Sequence, residues 1–171
     1  MKRIRLLSIL VAVMTVFIIA SPALALTTAD VTVTATPAYV AIAVDIGSKD
    51  FGVVATSATP STTTSYFTID NTSSVQTDQT ISVTTTTWAG GVTWAHAEDA
   101  VPGSDLAGLK ANKGGTWGVG DIIVKNGTPN FIAENQAANT DYSFGLKLYA
   151  PTAFTDGVEK SIIVRITAVQ G

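Results

Sequence analysis

The chain contains no cysteine. It therefore has no disulfide framework, no thiolate nucleophile or zinc thiolate, and no thiol on which a lipid anchor could be built. It has one histidine, His96, and structural or catalytic zinc ordinarily needs three or four protein ligands. Basic residues are also scarce. Of the 10 Lys and Arg, three stand in the first five positions. Beyond residue 25, seven basic residues face thirteen acidic ones, a formal charge of −6 against −3 for the whole chain. Such a surface repels phosphate backbones, so nucleic acid is not an expected partner. No internal repeat and no Pro/Ser linker divides the chain. After residue 25 no helix-period segment of convincing length appears, and one short helix within a longer loop is expected at Asp105 to Lys113.

What is present begins with an export signal. Lys2, Arg3 and Arg5 precede the apolar run Leu6 to Ala20, Ser21-Pro22 breaks it, and Ala23-Leu24-Ala25 has the small-x-small form of a signal-peptidase site. The expectation is a signal peptide over 1–25 and a secreted domain over 26–171, placed extracellularly or at the cell surface, with no membrane span after cleavage. An uncleaved anchor is the alternative, since about 20 apolar residues just cross a bilayer. A domain of this size buries roughly 68–70% of its unfolded surface, enough for one core without disulfides.

The remainder reads as β-structure. Thr and Val, stiff at χ1 and suited to a pleated surface, recur throughout. Tyr142, Phe144, Leu146 and Leu148 alternate with Ser143, Gly145 and Lys147. Ile162, Val164, Ile166 and Ala168 share one face of a final strand. Phe67 and Ile69 form one alternating run and Ile81 and Val83 another, and Asn71-Thr72-Ser73-Ser74 between them reads as a hairpin turn. Further strands are expected at Val31–Ala35, Tyr39–Val44, Phe51–Ala55, Val92–Ala95 and Trp117–Lys125. About nine short strands with turns roughly every ten residues is the pattern of an all-β sandwich.

Three segments carry a resemblance: Asp50-Phe51-Gly52-Val53-Val54, Phe67-Thr68-Ile69-Asp70-Asn71-Thr72-Ser73-Ser74-Val75, and Gln79-Thr80-Ile81-Ser82-Val83. Their order is similar to that in immunoglobulin-like modules of secreted and cell-surface proteins. The Tyr-x-Phe-x-Leu-x-Leu run, proline and last strand resemble the closing hairpin of bacterial surface sandwiches. The resemblance implies adhesion, scaffolding or polymer formation, and it transfers no catalytic residue. The Cys…Trp…Cys arrangement of antibody domains is missing.

Chemistry concentrates in Thr84 to Ala100, TTTTWAGGVTWAHAEDA. His96 has Glu98 and Asp99 nearby, but no Gly-x-Ser-x-Gly surrounds a serine, and the expectation is an exposed histidine at a strand end in a protein that is not an enzyme. Glu98, Asp99 and Asp105 share a loop that could hold a weak calcium ion, without the D-x-D-x-D-G spacing. No cofactor or metal is assigned. The glycine-rich Gly114 to Gly120 lacks Gly-Lys-Ser/Thr and a following helix, so it reads as a turn rather than a phosphate loop. Asn71-Thr72-Ser73 and Asn126-Gly127-Thr128 match glycosylation acceptors.

Two interaction readings follow. Trp88, Trp94 and Trp117 lie beside turns, where rings stack on sugars, and a surface polysaccharide is one candidate partner; the competing reading caps the core with at least two of them. The other reading rests on Asp30-Val31-Thr32-Val33-Thr34-Ala35-Thr36, a strand-like arm just past the expected cleavage point, with no lysine and with Pro37 only at its end. Unblunted strands of this kind add to exposed sheet edges. Self-association through this arm is therefore expected, against the alternative that it pairs within its own sheet.

Overall fold

The computed structural model describes residues 31–171, so the expected leader over 1–25 lies outside the described residues. Val31–Thr36 belong to an N-terminal unit, and Pro37–Gly171 form a compact unit of their own. The described residues contain no α-helix and ten strands. These are β1 (Ile42–Val44), β2 (Phe67–Asn71), β3 (Thr77–Val83), β4 (Thr87–Trp88), β5 (Trp94–His96), β6 (Leu106–Asn112), β7 (Ile122–Ile123), β8 (Asn130–Gln136), β9 (Tyr142–Tyr149) and β10 (Val164–Gln170).

Two sheets form. The larger runs β1-β2-β9-β6-β5-β4, with β7 also paired to β6; the smaller runs β10-β3-β8. One edge of β6 is shared, β5 pairing in parallel with its start and β7 antiparallel with its end. The other edge of β6 lies antiparallel to β9, with Leu109 opposite Leu148 and Ala111 opposite Leu146. Alternation then places the core between the sheets. Phe67, Ile69, Phe144, Leu146, Leu148 and Leu109 face Ile81, Val83 and Ile132 in one buried cluster, with Phe67 and Phe144 stacked at 5.0 Å. The alternating runs expected around Phe67, Ile81, Phe144 and Ile166 all form strands with those faces inward.

Several expectations are corrected. Asp105 to Lys113 is no helix: Leu106–Asn112 is a central strand. Its outer face is also covered, since a Cβ on Gly108 would lie 2.6 Å from the Ala100 backbone. That double burial erases the alternation by which strands are recognised. Val31–Ala35 and Phe51–Ala55 form no strand, and Trp117–Lys125 contributes only β7. The last of these is held as a loop by Asn112, whose Nδ2 donates to Thr116 O (3.0 Å) and Asp121 Oδ1 (2.6 Å) while its Oδ1 accepts Gly115 N–H.

The turn after β2 is no hairpin either. β2 and β3 lie in different sheets, so Asn71 to Gln76 is a corner between layers. Its two buried polar side chains, Asn71 and Ser73, are both hydrogen-bonded. Asn71 Oδ1 accepts Ser73 N–H (3.1 Å), while Nδ2 donates to Ala137 O (3.0 Å) and Thr77 Oγ1 (3.3 Å). The Ser73 hydroxyl accepts Ala41 N–H (2.9 Å), and Thr72 N–H donates to Ala41 O, which fastens the lead-in to β1. With its amide so occupied and its surface 1% exposed, Asn71 is not an accessible glycosylation acceptor. Asn71→Ala strands the buried Ser73 amide and takes a partner from the buried Thr77 hydroxyl. It is expected to lower unfolding stability by about 2 kcal/mol, measured by urea denaturation; a loss no larger than that of an exposed Asn→Ala control contradicts this role.

Candidate functional site

The stretch Thr84 to Ala100 forms β4, a Gly90-Gly91 turn and β5, with Trp88 directly opposite Trp94. Gly90 and Gly91 both take positive φ, and a Cβ on Gly90 would sit 2.1 Å from Glu159 O, so the segment after Asp156 closes over the turn. Asp156 clasps it, accepting hydrogen bonds from Val92 N–H and from the Lys160 ammonium. Lys160 in turn sits 5.6 Å from the Trp94 ring centre.

This turn buries its aromatic residues. Trp88 and Trp94 are 6% and 8% exposed, Trp94 stacks on Phe154 at 5.2 Å, and the Trp88 ring lies 6.4 Å from that of His96. Neither tryptophan presents a free face to a sugar, so both leave the set of ligand-stacking candidates. His96 is also corrected: it is 5% exposed, because parallel pairing of β5 with β6 carries it inside. Its Nε2 lies 2.8 Å from Val124 O. A carbonyl only accepts, so Nε2 bears the hydrogen, while Nδ1 has no partner among the described residues. A ring so placed braces β5 against the segment following β7.

The carboxylates suggested for calcium are engaged separately. Glu98 accepts Asn126 N–H (2.9 Å), Asp99 accepts Val101 N–H (2.9 Å), and Asp105 accepts both the amide and the hydroxyl of Thr155. Among the described residues no three His, Cys, Asp or Glu side chains gather as a metal-binding group.

Trp117 is different. It is half-buried and reaches across the outer face of the larger sheet, donating from Nε1 to Thr62 O (3.1 Å). Lys147 Nζ lies 5.6 Å from its ring centre and 5.8 Å from that of Tyr149, and Lys110 Nζ lies 5.2 Å from Tyr149. Lys110 and Lys147 stand directly opposite on β6 and β9, an unfavourable like-charge pairing that the rings offset in part. Sequence reading missed Lys110, Lys147 and Tyr149, because only the register of β6 on β9 brings them together.

A second region is set by backbone rather than side chains. Val31 and Val33 are 83% and 87% exposed, and Val31–Thr36 belong to no strand. Among the described residues β10 pairs only with β3, through seven consecutive residues, so its other edge is open. Its inward-facing Val164, Ile166 and Ala168 are half-buried, whereas those of β2 and β3 are buried.

The Lys160 hydrogen bond and the Val92 amide hold the Asp156 carboxyl below the ordinary carboxylate value of 3.8. A folded-state value below the unfolded one adds stability that is complete above the unfolded value and is lost as pH falls through the folded one. Asp156→Asn is therefore expected to lower the melting temperature near neutral pH, and the gap from the parent should close in acid below 3.8. Thermal melts of both proteins across pH check this; a gap that stays constant contradicts it.

Comparison with protein-family models, with curated proteins and with solved structures finds no match to this chain.

Proposed function

We propose that the protein is a secreted, non-catalytic structural or adhesion-type subunit of the cell surface, built on an immunoglobulin-like sandwich and self-associating through its N-terminal arm. The observation that carries this reading is the arm itself. Val31, Val33 and Ala35 alternate with threonines as strand residues do, yet they are exposed and lie in no strand. Extended β-branched segments of this kind gain main-chain hydrogen bonds and apolar burial together when they join another sheet. The export signal and the acidic, cysteine-free composition agree with a protein working outside the cell.

The chain over 26–171 is expected to show concentration-dependent mass by light scattering, or filaments by negative-stain microscopy. Removing residues up to Thr36 leaves the compact unit Pro37–Gly171, which should be a folded monomer with unchanged far-UV circular dichroism. A parent protein that stays monomeric at every concentration contradicts the reading.

One observation favours carbohydrate recognition as a second reading. Trp117 is the one tryptophan left half-exposed, and Lys147 lies beside it. Binding by this route quenches or shifts tryptophan emission on titration with a polysaccharide, and Trp117→Phe removes the change in a protein whose far-UV circular dichroism shows it folded. Emission that is constant across neutral and anionic polysaccharides sinks it.

A further inference from the structure

Resting on the reading that the arm mediates self-association, the geometry points to its acceptor: the open edge of β10 in a second copy of the chain. Two hydrogen bonds fix the phase of this strand. Thr84 N–H donates to Ile163 O (3.0 Å) before it, and Gly171 N–H donates to Gln76 O (3.0 Å) after it. In an antiparallel ladder, residues that exchange hydrogen bonds alternate with residues that do not. Ile163, Arg165, Thr167 and Val169 therefore turn their amides and carbonyls toward β3. Val164, Ile166, Ala168 and Gln170 turn theirs toward the open edge.

The first three of those residues also carry the apolar side chains directed inward, and these are only half-buried. An incoming strand thus meets unpaired backbone groups and uncovered core surface at the same positions. It would satisfy the former and cover the latter, which is the combination that drives strand addition.

The other edges are protected in ways that β10 is not. β1 has three residues and β4 two, and β4 is further covered by the Ala89–Ser161 bridge. The pairing of β8 is broken by two register shifts. Shortness, covering and bulges are standard means of blunting an edge. β10 has seven residues in unbroken register, without lysine or proline. The arm matches it in length: Val31 to Thr36 spans about 20 Å at about 3.3 Å per residue, with Val31, Val33 and Ala35 on one side to meet the row of Val164, Ile166 and Ala168. Arm and edge are different surfaces, so the contact is head-to-tail and produces filaments or rings rather than a closed two-fold dimer.

Because the chain has no cysteine, single cysteines can locate the contact. Chains carrying Val33→Cys are mixed under mild oxidation with chains carrying Ile166→Cys, or with chains carrying Phe131→Cys on β8 as the control. A labelled peptide of residues 30–36 is titrated against the unit 37–171, both unchanged and with Ala168→Pro, which deletes an open-edge amide and leaves every bond to β3. Crosslinking to Cys at position 166 but not at 131, and peptide binding weakened roughly tenfold or more by Ala168→Pro in a variant whose melt shows it folded, is the expected result. Arm-dependent assembly with no crosslink at 166, and peptide binding indifferent to Ala168→Pro, overturns the acceptor while leaving the arm in its role. Mass that never depends on concentration or on the arm overturns both.

Discussion

The architecture turns on the buried corner at Asn71. A sheet of alternating Thr and Val can continue as a hairpin wherever polar turn residues occur. Here the chain instead crosses to the opposite layer, and a crossing leaves backbone groups inside the protein that no ladder satisfies. Asn71 answers Ser73, Thr77 and Ala137 at once, and Ser73 and Thr72 pass the connection on to Ala41. One amide thereby joins the start of β1, the end of β2, the start of β3 and the turn between β8 and β9. With that corner in place, Phe67 and Ile69 face Ile81 and Val83 across the core. Beyond the corner β3 becomes the centre of a sheet whose margin is β10.

That margin and the outer face of the larger sheet are where the molecule departs from a closed sandwich. Where the chain returns over its own surface it leaves little space: a Cβ on Gly145 would lie 2.4 Å from Thr63 O, and the segment around Thr62 pairs with β9 beyond the reach of β2. At β10 nothing comparable occurs among the described residues, and the apolar row stays half-covered. The two lysines under Trp117 and Tyr149 show a related economy. A protein with few basic residues places two of them side by side and shields them with rings rather than carboxylates. The described ion pair, Lys160 with Asp156, is used instead to close the Gly90-Gly91 turn.

Legibility in the sequence followed one-sidedness. The strands around Phe67 and Ile81 each bury one face, and alternation marks them plainly; the runs around Phe144 and Ile166 alternate as clearly, although Thr63 covers Gly145 on the outer side of one and the inner row of the other is only half-buried. β6 covers both faces and carries Gly108 and Ala111 where small residues are needed, so it reads as an indistinct, faintly helical run. His96 reads as a strand-end residue, and nothing local reveals that β5 enters a parallel pairing beside β6. The three tryptophans look alike beside their turns; Trp88 and Trp94 are buried because their turn folds under Glu159, 69 residues along from Gly90. The patch formed by Lys110, Lys147 and Tyr149 is invisible until β6 and β9 are in register.

By itself the sequence determined the all-β class, the inward faces of the principal strands and the strand-like alternation of the arm, because each follows from residues one or two places apart. Only the tertiary structure decided that Asn71 turns a corner rather than a hairpin and that two of three tryptophans are core. Only it left Val164, Ile166 and Ala168 at an open edge. Those outcomes depend on which distant segment arrives alongside, and a polar turn, an aromatic ring or an apolar row has the same local chemistry whether or not a neighbour comes to cover it.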